Sequence, residues 1–377
     1  MPCLYLHIPF CRRKCPYCDF YSLADPTGTT IDGYPRLLIR HLDWVCRQNR
    51  PGPFDTIFFG GGTPSLLSPA AVASILTAID QKCGISPAAE ITLEANPDSL
   101  DATKLADFRQ AGVNRLSIGL QSLNDHDLNQ LQRPHNVSTG LQAVRLARQA
   151  GFTNISCDLM FNLPGQHVNR LLADLEQLIE LAPEHIAVYG LTIEPGTSFA
   201  SLQQQGRLKL PDDEHYVQAY RLLHHRLNRA GYDHYEISNF ARPGFCCRHN
   251  LGYWQRLSCL GLGAGAHSFN ADNFGTRYAV ANDLATYISD LDSDREPTLP
   301  LETFDRTAAM FETLYLGLRT ADGVSESAFT ARFGTSIAAT YPQAIRRCAP
   351  HLRQIGDAWR LDLDGWLIFD TLLQHFY

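Results

Sequence analysis

The chain has 377 residues, 45% of them hydrophobic and 19% charged, which excludes a disordered tail and leaves room for two or three domains. Its 32 Lys and Arg against 39 Asp and Glu leave a net charge of −7, a balance that excludes a general binder of the nucleic-acid backbone. No stretch approaches the ~20 apolar residues of a membrane span. Met1–Phe10 lacks a basic leader with an apolar run behind it, so the chain is expected in the cytoplasm, with a peripheral membrane contact left open. Lys occurs only at positions 14, 82, 104 and 209. The positive charge is thus nearly all Arg, which suits carboxylates but also follows from a biased base composition.

Short β-rich runs alternate with longer helical ones. Leu4–Ile8 reads as a strand and Tyr34–Gln48 as a helix. Thr56–Phe59 is a strand that runs into Gly60-Gly61-Gly62, and Pro69–Gln81 is a helix with proline at its tolerant first turn. Strands follow at Ile91–Glu94, Arg115–Ile118, Ile155–Met160 and His185–Tyr189, separated by helices at Asp101–Ala111, Thr139–Ala150 and Arg170–Leu181. Six such units predict a parallel sheet, either doubly wound or an incomplete barrel, with ligand chemistry at the C-terminal strand ends. Gly61, Gly62, Thr63, Glu94, Gln121 and Asp158 fall at those ends.

Asp212–Ala230 is a long helix. Tyr232–Asn273 is rich in glycine and aromatics and has no clear period, and Asp290–Pro300 reads as a linker. Phe304–Arg319 and Ser325–Phe333 read as helices. Ala358–Leu361 and Trp366–Phe369 flank Asp362-Leu363-Asp364-Gly365, a hairpin signal. The predicted division is 1–231 as a partial barrel, 232–300 as a connecting region and 301–377 as a winged-helix-like α+β module without a basic stripe.

Eleven cysteines in a chain without secretory signals point to ligands or small core residues rather than disulfides. Cys46, Cys83 and Cys157 read as core, and Cys348 as an inert surface or half-buried thiol. The informative group is Cys11-x3-Cys15-x2-Cys18, in a proline-interrupted loop after the first strand. Three thiolates this close can converge on one metal centre. Structural zinc takes four closed ligands, and no fourth Cys or His stands at a zinc-finger offset. A [4Fe-4S] cluster takes four thiolates, so three leave one iron open. Lys14, Arg12 and Arg13 either soften the charge of such a cluster or form a solvated loop face.

The spacing resembles the signature of the radical S-adenosylmethionine (SAM) superfamily. The resemblance implies a [4Fe-4S] cluster whose open iron chelates the methionine part of SAM, and an electron that breaks the sulfur–C5′ bond. The glycine run at 60–62 is similar to the superfamily's glycine motif, whose exposed backbone groups hold the amino-acid end of SAM. Further motifs resemble the oxygen-independent coproporphyrinogen III oxidase family over nearly the whole chain: His7-Ile-Pro-Phe-Cys11, Gly60-Gly-Gly-Thr-Pro-Ser65, Glu94-Ala-Asn-Pro97, Ser117-Ile-Gly-Leu-Gln-Ser122, Arg133-Pro-His135, Asp158-Leu-Met, Tyr235-Glu-Ile-Ser238 and His249-Asn-Leu-Gly-Tyr-Trp254.

That likeness implies SAM contacts at Tyr5, at Tyr17 beside the adenine, and at Gly61, Gly62, Thr63, Glu94, Gln121, Arg133 and Asp158. Arg133 suits the methionine carboxylate. Asp158 and Gln121 suit ribose hydroxyls, and Glu94 a ribose or amino group. Oxidases of this family carry an N-terminal extension and a fourth Cys two residues after the third. Here the first strand starts at Leu4, and the second position after Cys18 is Phe20. Both departures resemble the HemW-type haem-chaperone branch, which implies haem and a haem-acceptor protein as partners. His249 is the expected haem ligand and Cys247 the runner-up, with Tyr253 and Trp254 stacking on the macrocycle and His267 near the same face. The expected function is haem transfer to an acceptor. A coproporphyrinogen III dehydrogenase and a zinc-stabilised interaction protein are the alternatives.

Overall fold

Each β/α unit lays down one strand and returns over the sheet by a helix. The strands are β1 (Cys3–Ile8), β2 (Phe54–Gly61), β3 (Ile85–Ala95), β4 (Arg115–Gln121), β5 (Ile155–Phe161) and β6 (His185–Gly190), paired in parallel in chain order. A computed structural model of the chain describes residues 2–25, 30–48 and 51–377. Local chemistry sets the helix limits. Ser68 caps Pro69–Lys82 by accepting from Ala71 N, Asp101 caps Ala102–Ala111 by accepting from Lys104 N, and Gly112 ends that helix at φ +111°.

The sheet does not stop at six strands. β7 (Asp233–Glu236) and β8 (Asn239–Ala241) add beyond β6. On the other side β9 (Cys259–Leu262) pairs parallel to β1, followed by antiparallel β10 (His267–Asn270), β11 (Thr276–Val280) and β12 (Thr298–Thr303). The order is β12-β11-β10-β9-β1-β2-β3-β4-β5-β6-β8-β7, and its ends do not pair among the described residues. This is an incomplete (β/α)6 barrel extended at both edges. The aperiodic stretch after residue 231 thus supplies four strands, each too short to display a period of its own.

The expected linker at Asp290–Pro300 is instead the end of helix Leu284–Asp292 and the start of edge strand β12. Pairing with β11, not local propensity, makes that strand. The C-terminal module packs helices Arg306–Gly317, Glu326–Phe333 and Pro342–Cys348 against a three-stranded sheet, as a winged helix does. Its hairpin joins β13 (Leu352–Ile355) to β14 (Ala358–Leu361). The expected strand Trp366–Phe369 is helical, because Asp362 accepts from Gly365 N at 2.7 Å and caps a helix where a turn was predicted. Cys157 and Cys83 are buried as expected, and Cys46 lies half-buried with its sulfur 3.3 Å from that of Cys83. Cys348 differs from expectation. It is buried in the module's own apolar core, beside Leu372. Among the described residues no helix is long and apolar enough to cross a membrane.

Candidate functional site

Alternate residues of a strand face opposite sides. On β1–β4, Leu4, Leu6, Ile57, Leu93 and Leu116 pack outward into the helical core. The residues between them, Tyr5, Phe58, Glu94, Arg115 and Ser117, point inward and line a cleft of about 210 Å³ with Ser156 and Tyr189. The cleft opens toward the C-terminal strand ends, where the cysteine loop sits.

That loop leaves β1 through Phe10–Cys11, which pairs in parallel with Leu23–Ala24. Cys18 N donates to Cys15 O at 3.2 Å and closes the turn, and all three thiols are half-buried. A relay of donors ties the loop to the strand ends. Arg133 Nη1 donates to Cys15 Sγ at 3.6 Å, and its Nη2 to Asn96 Oδ1 at 2.6 Å. Asn96 Nδ2 donates to Thr63 Oγ1 at 3.2 Å, and Thr63 Oγ1 to Cys11 Sγ at 3.4 Å. The sulfurs thus receive donors suited to thiolates, while Arg133 Nε is buried with no partner in the protein. Burial, and secondarily the neighbouring thiols, push the Cys11 and Cys18 thiols up, a penalty that metal binding offsets. Among the described residues no three His, Cys, Asp or Glu side chains are arranged to hold a single ion. A cubane asks something different, since each thiol bonds its own iron. Three half-buried thiols with donors to two of them, and a buried guanidinium alongside whose Nε has no partner, fit such a cluster and an anionic ligand group.

Arg12 is exposed and pairs with Asp98 at 3.1 Å, Arg13 bonds Gln132, and Lys14 Nζ reaches Phe20 O at 3.3 Å. These three form the solvated outer face of the loop. Tyr17 packs its ring 6.1 Å from that of Phe199 and its hydroxyl 3.4 Å from Arg133 Nη1.

The glycine run differs from expectation in one respect. Gly61 N donates to Glu94 Oε2 at 3.2 Å, Gly62 N to Ile8 O at 2.9 Å and Thr63 N to Phe10 O at 2.8 Å, so these three amides are already paired. What the missing side chains permit is close approach. A Cβ on Gly61, at φ +108°, would lie 2.6 Å from the His7 ring, and one on Gly62 would lie 2.6 Å from Phe10 O. Gln121 ends β4 at φ +66°, a left-handed conformation held beside a register shift. Gly119 makes room there, since its Cβ would fall 2.8 Å from Gln121 Nε2 and 3.2 Å from Arg133 Nη2.

Sequence reasoning assigned no role to Asn96, Gly119 or Arg115. Asn96 stood inside a quoted motif and Gly119 at a strand end, so both were within reach. Arg115 was not, because only the sheet shows an arginine at the start of a strand to be 2% exposed on the inner face, its Nε without a partner.

Two carboxyls interact here, Glu94 lining the cleft and Asp158 bonded to cleft-lining Ser117. Burial, and then the charge of Asp158, push Glu94 up to about 8 from its ordinary 4.5. Burial raises Asp158 to about 6, against hydrogen bonding from Ser117 at 3.0 Å and the charges of Arg115 and Arg133. The folded chain therefore keeps a proton on Glu94 that the unfolded chain has released between pH 4.5 and about 8. Across that window stability falls as pH rises, and above it the contribution is constant. Glu94→Gln still accepts from Gly61 N but cannot ionise. Thermal melts are expected to show a flatter pH dependence for the variant and a higher Tm than the parent at pH 8. Parallel Tm-versus-pH curves would contradict the assignment.

The His249 motif lies at the other end of the barrel. Helix Arg248–Trp254 plugs the N-terminal strand ends. Glu90, on β3, accepts from Arg248 N and His249 N at 3.2 Å each, and Gly252 lets the helix close on Cys3. His249 is 1% exposed, with Nδ1 2.8 Å from Thr56 Oγ1 and Nε2 2.8 Å from Tyr253 OH. Both ring nitrogens are occupied, so the expected open imidazole is a packed and hydrogen-bonded one. Cys247 is fully buried and its thiol is pushed up to about 12 by burial, so it too offers no open ligand. His249, Asn250 and Tyr253 border the floor of the cleft. Trp254 faces away from it, toward the C-terminal module.

A cysteine loop after the first strand, donors to its sulfurs and polar strand ends around an open half-barrel together define a radical SAM domain. The model of the radical SAM superfamily matches residues 5–178, and that of the HemN C-terminal domain matches 304–368. Heme chaperone HemW of Escherichia coli is 36% identical over 99% of this chain and 97% of its own length. Heme chaperone HemW of Bacillus subtilis is 35% identical over 93% and 91%. The solved coproporphyrinogen III oxidase (HemN) of Escherichia coli superposes with a TM-score of 0.86 over 100% of this chain and 89% of its own, at 21% identity, a likeness of fold. The chain belongs to the HemW family of the radical SAM superfamily, whose cofactors are a [4Fe-4S] cluster and SAM.

Proposed function

We propose that this protein binds haem and passes it to an acceptor protein, with a [4Fe-4S] cluster and SAM at the mouth of the half-barrel. The observation that carries the reading is similarity along essentially the full length to relatives named haem chaperones. Cys11, Cys15 and Cys18 hold three irons in this reading. The fourth is left to the methionine amino and carboxylate groups, because the Cys-x3-Cys-x2-Cys loop supplies only three thiolates.

Arg133 pairs with that carboxylate through the guanidinium edge that the relay leaves open. Tyr17 lies by the adenine. Glu94, Gln121 and Asp158 take the ribose and amino groups, and Tyr5 with Gly61, Gly62 and Thr63 shapes the wall. The cluster and SAM supply one-electron chemistry when bound, and the chain orients them and excludes water. The division into a barrel (1–231), a connecting region (232–300) and a C-terminal module (301–377), and a cytoplasmic location, belong to the same proposal.

The test is one anaerobic preparation assayed twice. Haemin titration is expected to give a Soret band. Coproporphyrinogen III with SAM and reductant is expected to give no vinyl product. Vinyl formation would replace the chaperone reading with the dehydrogenase.

A further inference from the structure

With His249 closed off, a different histidine is open. His267, on β10, is exposed, and its ring has no hydrogen-bond partner among the described residues. Burial and the charge of Arg277 hold it toward the neutral form, the one that binds metals. It borders a half-open slot of about 380 Å³ between the plug helix, strands β9–β10 and the C-terminal module. That volume falls within the range of small-molecule sites, ~300–1,000 Å³.

The walls of the slot are Tyr253, Trp254, Leu257, Phe269 and Leu316. Its cations are Arg256 and Arg277, which share the single buried carboxylate of Glu312. Arg256 also donates Nη2 to Phe274 O at 2.5 Å, stacks 4.8 Å from the Phe269 ring, and has Nη1 buried without a partner. Glu302 approaches Arg277 only at 3.9 Å, on the exposed rim. Two guanidiniums on one buried carboxylate leave Arg256 Nη1 without a partner in an aromatic slot, while Arg277 reaches the rim. Tyr253 lines both this slot and the floor of the barrel cleft, so the two cavities share one side chain.

We propose that the iron porphyrin binds in this slot, with His267 as the iron ligand, Trp254 and Phe269 against the macrocycle, and Arg256 and Arg277 toward its propionates. The assignment rests on the haem-binding reading above and moves the ligand from His249, whose nitrogens are occupied, to a residue whose nitrogens are not. An aromatic slot, a neutral imidazole and cations for carboxylates are what such a ligand requires.

The experiment is haemin titration of the full chain as parent, His267→Ala and His249→Ala, each with a thermal melt. The parent is expected to show the Soret band of imidazole-ligated haem. His267→Ala, altered at an exposed residue, should keep the parent Tm, bind haemin about tenfold or more weakly, shift the band, and regain the parent spectrum when free imidazole is added. His249→Ala should melt lower, because Thr56 and Tyr253 lose their buried partner, while its folded fraction keeps the parent spectrum. An unchanged band and affinity in His267→Ala, with the parent binding haemin, would overturn this site and leave the haem reading standing. A parent that binds no haemin would remove the haem reading itself.

Discussion

Cys15→Ala is expected to come out of anaerobic reconstitution nearly free of iron, against about four irons per parent chain. Cys15 is the middle thiol of the loop and the one that receives Arg133 Nη1, so its loss removes both a ligand and the contact that joins the loop to the strand ends. Two remaining thiols cannot hold three irons. Iron and acid-labile sulfide should fall together, and the brown charge-transfer absorbance should vanish. Cys157→Ala, altered in a fully buried core thiol on the opposite strand face, should retain the parent iron content. Parent-like iron in Cys15→Ala would refute the cluster assignment, and one zinc per chain in the parent would favour the zinc-stabilised alternative.

Arg133→Met should keep most of the iron and lose SAM. Its guanidinium is held by Asn96 Oδ1 at 2.6 Å and Gly119 O at 3.0 Å, so it is placed before any ligand arrives. Nε is buried without a partner, and a carboxylate that meets such a fixed cation loses little freedom on binding. Removing one partner of a buried charge pair costs about 2–5 kcal/mol, so SAM affinity measured per cluster is expected to fall on the order of a hundredfold. Arg133→Lys should recover only part of it, since an ammonium cannot reproduce the fork. Unchanged SAM affinity at equal iron content would remove Arg133 from the binding site.

The features legible in the sequence depend on neighbours in the chain. The spacing of Cys11, Cys15 and Cys18 is covalent, and no fold can separate three thiols so linked. Strand alternation is equally local, so Glu94 and Asp158 could be placed on one side of the sheet from parity and strand ends alone. The readings that changed depend on partners far away. Asp290–Pro300 has the composition of a linker, yet β12 exists because β11 offers it a pairing edge. His249-Asn-Leu-Gly-Tyr-Trp254 holds the residue types of a ligand site. Only the fold shows that Thr56, nearly two hundred residues earlier, takes up one of the His249 ring nitrogens.

The amino-acid sequence by itself determined the three-cysteine loop, the strand–helix alternation and the polar residues at the strand ends, because each is written within a few residues or a single period. Tertiary structure alone decided that His249 is a plug, that Arg115 is a buried cation, that Trp254 faces the C-terminal module and that His267 stands open. The reason is physical: whether a polar side chain is free for a ligand depends on which distant groups saturate it, and that is settled only when the sheet closes around it.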